Sequence, residues 1–414
     1  MKRKLLTGNS AAAWGARLAG AEYVPAFPIT PQTEIIETLA QWIDFGEMDC
    51  RMTTLESEHS MLTAAGAAAV TGVRVFSATS SQGLLYGMEM LYTVAGWRAP
   101  FVLVNVSRGL SAPITLEPDH NDILAARDSG FLQIHCATCQ EVLDSILIAY
   151  RLAEHQSVRL PAIVNMDGFS LSFTREPVEL PDTEAVRRFL PDYDAENIRF
   201  RAGAPLSEGV AVLGGALYSY FRYEMHLACL NGLAAFGDIS EEFAGVFGRR
   251  YRDVEGYRTA DAELVFVMMG SFATKAKAAV DQLREAGVLI GLVRPVLLRP
   301  FPRDRIRSLL AGKKGVAVID QNLSLGRGGI LHTEITSALY GAGGSLPIIV
   351  SFVGGLGGRD ISAEEFYEMA KVTAQSVSAG HAPAPRLLLT SEELVEVRRL
   401  QKIAGLSGEA RNKP

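Results

Sequence analysis

The chain has few cysteines, no long apolar run and no excess of basic residues. Its four cysteines among 414 residues are too few for a disulfide scaffold. They also lack the run of four thiolates that holds an iron–sulfur cluster. No uninterrupted apolar run reaches the roughly 20 residues that span a bilayer, and polar residues stand at positions 7–10, where a signal peptide would continue its apolar core. We therefore expect a soluble, cytoplasmic protein without a membrane anchor or a cluster of its own.

The charge balance and the cysteine spacing argue against two further kinds of site. The net charge of −6 argues against a nucleic-acid-binding protein, which needs a basic face to neutralise phosphates. Cys136 and Cys139 have the spacing of a redox or metal-binding pair, but no second Cys or His pair completes a tetrahedral site. We interpret them as small structural residues at a strand-to-helix junction, and we predict no metal site in this chain.

What the sequence does contain is an alternation of strand-like and helix-like runs, and 48% of its residues are hydrophobic. Residues 1–178 show one such alternation and residues 259–378 a second. Prolines and scattered aromatics weaken the periodicity of residues 179–258, which we interpret as a connector with helices near 218–232 and 240–248. Residues 379–414 form a tail. The pattern predicts an α/β fold with two parallel-sheet domains.

Small or polar groups follow the apolar runs of the first predicted domain. They are the Pro28–Pro31 turn, Glu58, the Ser80–Gly83 turn and Arg108. Because the carboxyl ends of parallel strands meet at one edge of a sheet, we expect these groups to lie close together. The sequence therefore predicts a cofactor site at this edge.

The order and spacing of these segments resemble the pyrimidine-binding module of the thiamine diphosphate-dependent 2-oxoacid:acceptor oxidoreductases, the family of pyruvate:ferredoxin oxidoreductase. The resemblance runs from Gly8 to about Lys371. It implies that residues 1–178 form the pyrimidine-binding module and that residues 259–378 form a transketolase C-terminal-like domain. It also implies oxidative decarboxylation of a 2-oxoacid, with coenzyme A (CoA) receiving the acyl group.

The resemblance implies a role for each group near the cofactor. Glu58 matches the glutamate that hydrogen-bonds the pyrimidine ring nitrogen of thiamine diphosphate, with Glu56 as the fallback. Ser81, Gln82 and Gly83 match a cofactor-binding turn. From the residues alone, Glu58 could equally be a charge at the start of a helix, where the helix dipole favours a carboxylate.

The groups on the substrate side are Thr30, Arg108 and His120. Arg108 is predicted to clamp the 2-oxoacid carboxylate. Its structural alternative is a salt bridge with a nearby carboxylate, that of Asp119, Asp122 or Asp128. Thr30 is predicted to touch the substrate, and its alternatives are a plain turn residue or a helix N-cap. His120 is predicted to shuttle protons at the substrate, and it fits equally well as a satisfied loop histidine.

The resemblance also implies partners and a substrate. The diphosphate-binding domain and its Mg²⁺ are assigned to a beta subunit, because this chain has no Gly-Asp-Gly-like motif. The [4Fe-4S] clusters are assigned to gamma and iron–sulfur subunits, with an NAD-reducing flavoprotein subunit as a further candidate. Likeness to the alpha subunit of phenylglyoxylate dehydrogenase implies phenylglyoxylate as substrate, with Phe27, Tyr86 and Leu110 as an apolar pocket. Pyruvate as substrate, a non-oxidative transketolase-like transfer and a non-catalytic assembly subunit are the alternatives.

Overall fold

A computed structural model describes residues 2–195, 200, 202–403 and 405. The strands of the first half are β1 (Lys2–Thr7), β2 (Tyr23–Ala26), β3 (Arg51–Thr54), β4 (Phe76–Thr79), β5 (Val102–Ser107), β6 (Leu132–His135), β7 (Ala162–Asp167) and β8 (Arg175–Leu180). The helices are α1 (Gly8–Leu18), α2 (Thr33–Asp44), α3 (Glu58–Ala69), α4 (Ser81–Tyr86), α5 (Met88–Gly96), α6 (Asn121–Ala125), α7 (Cys139–Ala153) and α8 (Thr183–Phe189).

The first domain is a parallel sheet with helices on both faces. Strands β4, β5, β7 and β6 pair in parallel in that order, and the parallel pair β2–β3 continues the sheet through a bridge between Tyr23 and Val75. Val102, Val104 and Val106 of β5 enter one hydrophobic core, and Leu103 enters the core on the other face. A strand buried on both faces is apolar throughout rather than alternating, which explains the continuous apolar runs of the sequence.

A second domain follows a long helix, α9 (Gly215–Phe247). Its strands are β9 (Val254–Tyr257), β10 (Leu264–Val267), β11 (Ile290–Pro295), β12 (Leu297–Arg299), β13 (Gly315–Asp320), β14 (Ile348–Val353) and β15 (Arg386–Leu387). Its helices are α10 (Ala273–Glu285), α11 (Arg303–Leu310), α12 (Ile330–Leu339), α13 (Ala363–Ala379) and α14 (Ser391–Ile403). The sheet order is β15-β14-β13-β10-β11-β9, and only β9 runs antiparallel. The predicted α/β fold with two parallel-sheet domains is confirmed.

The two domains share a sheet and an ion-pair cluster. Strand β12 leaves the second domain and pairs antiparallel with β6, so it becomes the edge of the first domain's sheet. The buried Arg294 of β11 donates to both carboxylate oxygens of Glu141 on α7, at 2.7 and 3.0 Å, and to Glu255 at 2.7 Å. A buried guanidinium needs such partners, and here they come from both domains.

Helix α9 differs from the sequence prediction of two separate helices. It is continuous because the stretch between the predicted helices contains no proline, and Gly237 only weakens a helix. Its last turns bury Phe236, Ile239 and Phe243, whereas residues 213–223 are exposed on every side. This exposed arm carries Tyr218, Tyr220, Phe221 and Tyr223, which are 43–57% accessible. Among the helices of the described residues, none is long and apolar enough to cross a membrane.

Candidate active site

Glu58 is the first residue of α3, at the carboxyl edge of the first sheet. Ser57 caps this helix with an extended backbone, and its hydroxyl accepts the Ser60 N–H at 3.2 Å. The small residues of α3 allow close packing, since a Cβ at Gly66 would overlap Val94 of α5. These contacts place Glu58 inside the edge of the sheet, where it is 4% exposed.

The Glu58 carboxylate lies against Gly83. A Cβ at Gly83 would overlap Glu58 Oε1 and would lie 2.7 Å from Thr79 Oγ1, so a side chain here would have to displace the Glu58 carboxylate. Burial raises the pKa of Glu58 above its ordinary value, and within the described part of the chain no other side chain donates a hydrogen bond to it. The fallback residue, Glu56, is exposed and bonds Ser60. Glu58 is therefore the carboxylate available to a buried ligand.

The junction of β4 and α4 is held tightly, but two hydroxyl groups there have no partner among the described residues. Ser81 has a left-handed backbone with φ of +48°, which is uncommon for a residue other than glycine. Its hydroxyl donates to the Gly109 carbonyl at 2.8 Å. The buried hydroxyls of Thr79 and Ser80 have no hydrogen-bond partner among the described residues. Because buried polar groups are normally paired, these hydroxyls mark space for a polar ligand.

Arg108 follows β5 and is 6% exposed. Its Nη1 donates to the Thr30 carbonyl at 2.7 Å and its Nη2 to Gln82 Oε1 at 3.5 Å, while Nε has no partner among the described residues. No carboxylate of the described residues lies within ion-pair distance of the guanidinium, so the structural alternative, a salt bridge with Asp119, Asp122 or Asp128, is not formed. Burial lowers the pKa of Arg108 and the nearby Asp122 charge opposes this shift. The site thus holds a buried cation without an anionic partner.

Thr30 reaches this edge through its backbone. Its side chain is exposed, and its carbonyl binds Arg108. Helix α2 begins at Thr33 with Gln32 at the N-cap, so Thr30 does not cap it. The position beside Arg108 is consistent with the predicted contact to substrate, which stays a prediction.

His120 lies in a closed environment between the domains. Its ring is 2% exposed, and Nε2 lies 2.7 Å from Oδ1 of the fully buried Asp167. The Ser271 backbone N–H of the second domain donates to the other oxygen of Asp167 at 2.7 Å. Burial would lower the pKa of His120, but the charge and hydrogen bond of Asp167 raise it above 6.5. This arrangement favours the alternative in which His120 is a structural histidine with its hydrogen bonds satisfied within the fold. The role in proton transfer at the substrate stays a prediction.

Sequence reasoning did not select Asp122 as a site residue. Its side chain is fully buried and accepts hydrogen bonds from the backbone of Ser81 and Arg108. The only signal in the sequence was an aspartate 14 residues after Arg108, which suggested a salt bridge instead. Cys136 and Cys139, by contrast, are buried at the junction of β6 and α7 as predicted, and burial raises the pKa of both thiols.

The site fits the pyrimidine half of thiamine diphosphate. A buried carboxylate with a raised pKa, a glycine without room for a Cβ and the two unpaired hydroxyls form a cradle for a flat, polar heterocycle. Within the described residues, no group of three or more His, Cys, Asp or Glu side chains could hold a metal ion. The residues present could hold the ring.

Sequence comparison also identifies a thiamine diphosphate-binding domain in this chain. The family model described as pyruvate flavodoxin/ferredoxin oxidoreductase, thiamine diphosphate-binding, matches residues 14–228, and that of pyruvate:ferredoxin oxidoreductase core domain II matches residues 262–366. The chain belongs to the pyruvate flavodoxin/ferredoxin oxidoreductase family. Glu58, Gly83 and Arg108 all lie within the segment that matches the thiamine diphosphate-binding domain.

Members of this family are similar to the chain over nearly its whole length. The chain is 38% identical over 383 residues to the pyruvate synthase subunit PorA of Pyrococcus furiosus, covering 92% of this chain and 96% of the relative. It is 39% identical over 379 residues to the ketoisovalerate oxidoreductase subunit VorA of Pyrococcus horikoshii, covering 91% and 95%.

A solved structure of a 2-oxoglutarate:ferredoxin oxidoreductase from Magnetococcus marinus, with 2-oxoglutarate, CoA and succinyl-CoA bound, shares the fold. The TM-score is 0.69 at 19% identity, and the match covers 91% of this chain. This chain spans 65% of the length of that one, just under two thirds. The likeness supports the arrangement of the two domains.

Proposed function

We propose that this chain is the alpha subunit of a 2-oxoacid:ferredoxin oxidoreductase. In this proposal it holds the pyrimidine ring of thiamine diphosphate and the carboxylate of a 2-oxoacid that is converted to an acyl-CoA and carbon dioxide. The observation that carries the proposal is the presence, at one sheet edge, of a buried carboxylate against Gly83 and a buried guanidinium without an anion.

In this proposal each residue of the site has its own role. When bound, thiamine diphosphate supplies a nucleophilic carbon and accepts electrons from the substrate. Glu58 holds a proton at the pyrimidine ring nitrogen, because its buried, raised-pKa carboxyl group binds protons more tightly than an exposed one. Arg108 binds the substrate carboxylate in the position where Nε lacks a partner. Thr30 orients Arg108 through its carbonyl.

The remaining components are assigned to partners. A beta subunit supplies the diphosphate and Mg²⁺ ligands, and gamma and iron–sulfur subunits carry the [4Fe-4S] clusters. The curated relatives are themselves named as subunits, which supports an assembly of this kind. An NAD-reducing flavoprotein subunit is a further candidate partner, and the final electron acceptor depends on it.

The substrate proposed from the sequence is phenylglyoxylate, with pyruvate as the alternative. The relatives are named for pyruvate and ketoisovalerate, which favours an aliphatic 2-oxoacid. Leu110 lines a cavity of about 490 Å³ between the domains, together with Leu323, Ile330 and Leu356. Phe27 and Tyr86 do not line it, so the three residues expected to form one apolar pocket are not gathered in it.

The test is an assay of the purified complex against pyruvate, 2-oxoisovalerate and phenylglyoxylate. We expect CoA-dependent release of carbon dioxide with reduction of a viologen dye, and the ratio of kcat to KM ranks the three substrates. A complex loaded with thiamine diphosphate that oxidises none of these acids, nor 2-oxoglutarate, would refute the proposal. Release of an aldehyde or a ketol without dye reduction would favour the transketolase-like alternative.

A further inference from the structure

The buried carboxylate of Asp122 lies between the ends of β4 and β5. Its Oδ2 accepts the backbone N–H groups of Ser81 at 3.0 Å and Arg108 at 3.3 Å, and the amide of Asn105 at 3.1 Å. One oxygen atom therefore contacts both the turn that follows β4 and the arginine that follows β5.

The second oxygen of Asp122 secures the carboxylate itself. Oδ1 accepts the Ser107 hydroxyl at 2.7 Å and the Ile123 N–H at 2.7 Å. No basic side chain in the described part of the chain lies within ion-pair distance of Asp122. Five donors instead satisfy the buried charge, and such a network is rigid when it is fully satisfied.

The positions of these five donors in the chain show that Asp122 does more than cap its own helix, α6. Only the Ile123 N–H belongs to α6, the helix on which Asp122 lies, and the other four come from the segments that carry the cofactor turn and Arg108. The left-handed backbone of Ser81 is costly, and conformations of this kind persist where their surroundings over-determine them. The Asp122 hydrogen bond to the Ser81 N–H is such a constraint.

We infer that Asp122 is a positioning residue, which sets the distance between the cofactor turn at Ser81–Gly83 and the substrate-binding Arg108. The inference rests on the proposed function. It explains why a charged group is buried beside Arg108 without pairing with the guanidinium: its backbone bonds leave that guanidinium free for a substrate carboxylate. In this inference Asp122 acts on both ligands indirectly, through its hydrogen bonds to the backbone of Ser81 and Arg108.

The test compares Asp122→Ala and Asp122→Asn in the assembled complex. Asp144→Asn is the matched control, since Asp144 is also fully buried but bonds Arg249 and Tyr251, away from the site. We expect Asp122→Ala to raise the KM for the 2-oxoacid about 10- to 100-fold, because small displacements at a site cost this much. The Kd for thiamine diphosphate, measured by calorimetry on cofactor-free complex, should also rise. Asp122→Asn keeps one acceptor oxygen and should recover part of both losses.

A purely structural aspartate would behave differently. If the Asp122 variants assemble with a lower melting temperature but keep the wild-type KM and cofactor Kd, as we expect for Asp144→Asn, the inference is wrong. If the complex with Asp122→Ala does not assemble, the KM and the cofactor Kd of the Asp122→Asn complex test the inference. If the wild-type complex oxidises no 2-oxoacid, the proposed function is wrong. The Kd for thiamine diphosphate then still tests whether Asp122 positions the turn at Ser81–Gly83.

Discussion

At the scale of single residues, the position of Glu58 against Gly83 gives the sharpest expectation. We predict that Glu58→Gln lowers turnover of the assembled complex about 10²- to 10⁴-fold, because an amide cannot exchange a proton with the pyrimidine ring. Calorimetry should show cofactor still bound, which separates this loss from a binding defect. Near wild-type turnover with bound cofactor would contradict the role of Glu58 and would favour a non-catalytic assembly subunit.

The same substitution should change how the stability of the cofactor-free protein depends on pH. Burial raises the pKa of Glu58 above 4.5, so the folded state binds this proton more tightly than the unfolded state. Its contribution to stability therefore falls as the pH rises above about 4.5. Glutamine carries no charge, so Glu58→Gln should melt no lower than wild type at pH 8. Melting curves at pH 5 and pH 8 check this expectation.

Arg108 provides a second test at this scale. Loss of a charge-assisted bond typically costs roughly 2 to 5 kcal/mol when the partner charge is left unpaired. Arg108→Ala should therefore lower the specificity constant strongly for every 2-oxoacid. Arg108→Lys keeps the charge but not the planar guanidinium that binds a carboxylate through two N–H groups, so it should recover only part of the specificity constant. If steady-state kinetics of both variants equal those of the parent, the carboxylate is bound elsewhere, and Thr30 is the next candidate.

Single residues also show what the sequence could and could not predict. Glu58, Gly83 and Arg108 could be placed at one edge because parallel strands end together, whatever their detailed packing. The hydrogen bonds of Asp122 could not, since they depend on α6 returning over the ends of β4 and β5. The enclosure of His120 likewise depends on Ser271, more than 100 residues away in the chain.

At the scale of secondary-structure elements, the end of β7 joins the domains, because Asp167 pairs with His120 of its own domain and accepts the Ser271 N–H of the second domain. We predict that Asp167→Asn lowers the free energy of unfolding by about 3 to 5 kcal/mol, because it leaves one member of a buried pair without its partner. Urea titration of the chain measures this loss. Asp128→Asn is the control, since Asp128 is 58% exposed and its ion pairs contribute little.

This pair also has a pH signature. The raised pKa of His120 stabilises the fold fully below pH 6.5, and this contribution is lost as the pH rises through the raised value. The difference in stability between wild type and Asp167→Asn should therefore shrink from pH 6 to pH 9. A difference that stays constant over this range would mean that His120 is neutral in the folded state.

Elements whose neighbours lie far away in the chain were hardest to predict. In the sequence, Val142, Ile146, Leu147 and Tyr150 form one apolar stripe, which predicts a helix over residues 140–154. The observed helix α7, Cys139–Ala153, differs by a single residue at each end. The prediction divided helix α9 at residues 233–239, but no proline interrupts that stretch and the helix is continuous. Strand β12 has only three residues, and its partner β6 lies more than 150 residues earlier.

At the scale of the whole molecule, the proposed function gives this chain only the pyrimidine side of the cofactor site. We predict that the chain expressed alone shows no iron–sulfur absorption near 400 nm and binds thiamine diphosphate poorly, because its sequence has neither a four-cysteine run nor a Gly-Asp-Gly-like diphosphate motif. Calorimetry with thiamine diphosphate and Mg²⁺ measures the second point, and the assembled complex is the control. Tight Mg²⁺-dependent binding to the isolated chain would contradict this expectation.

The pairing of β12 with β6 has a consequence for how such a gene can be divided or recombined. A fragment that ends before Val254 would lose β12 and leave the backbone groups of β6 open at the edge of the sheet. Open edges recruit strands from other molecules, so this fragment should self-associate. If the two domains were encoded by separate genes, the product with the second domain would have to pair its β12 with β6 of the other product. We therefore expect the two domains to be inherited together in one gene.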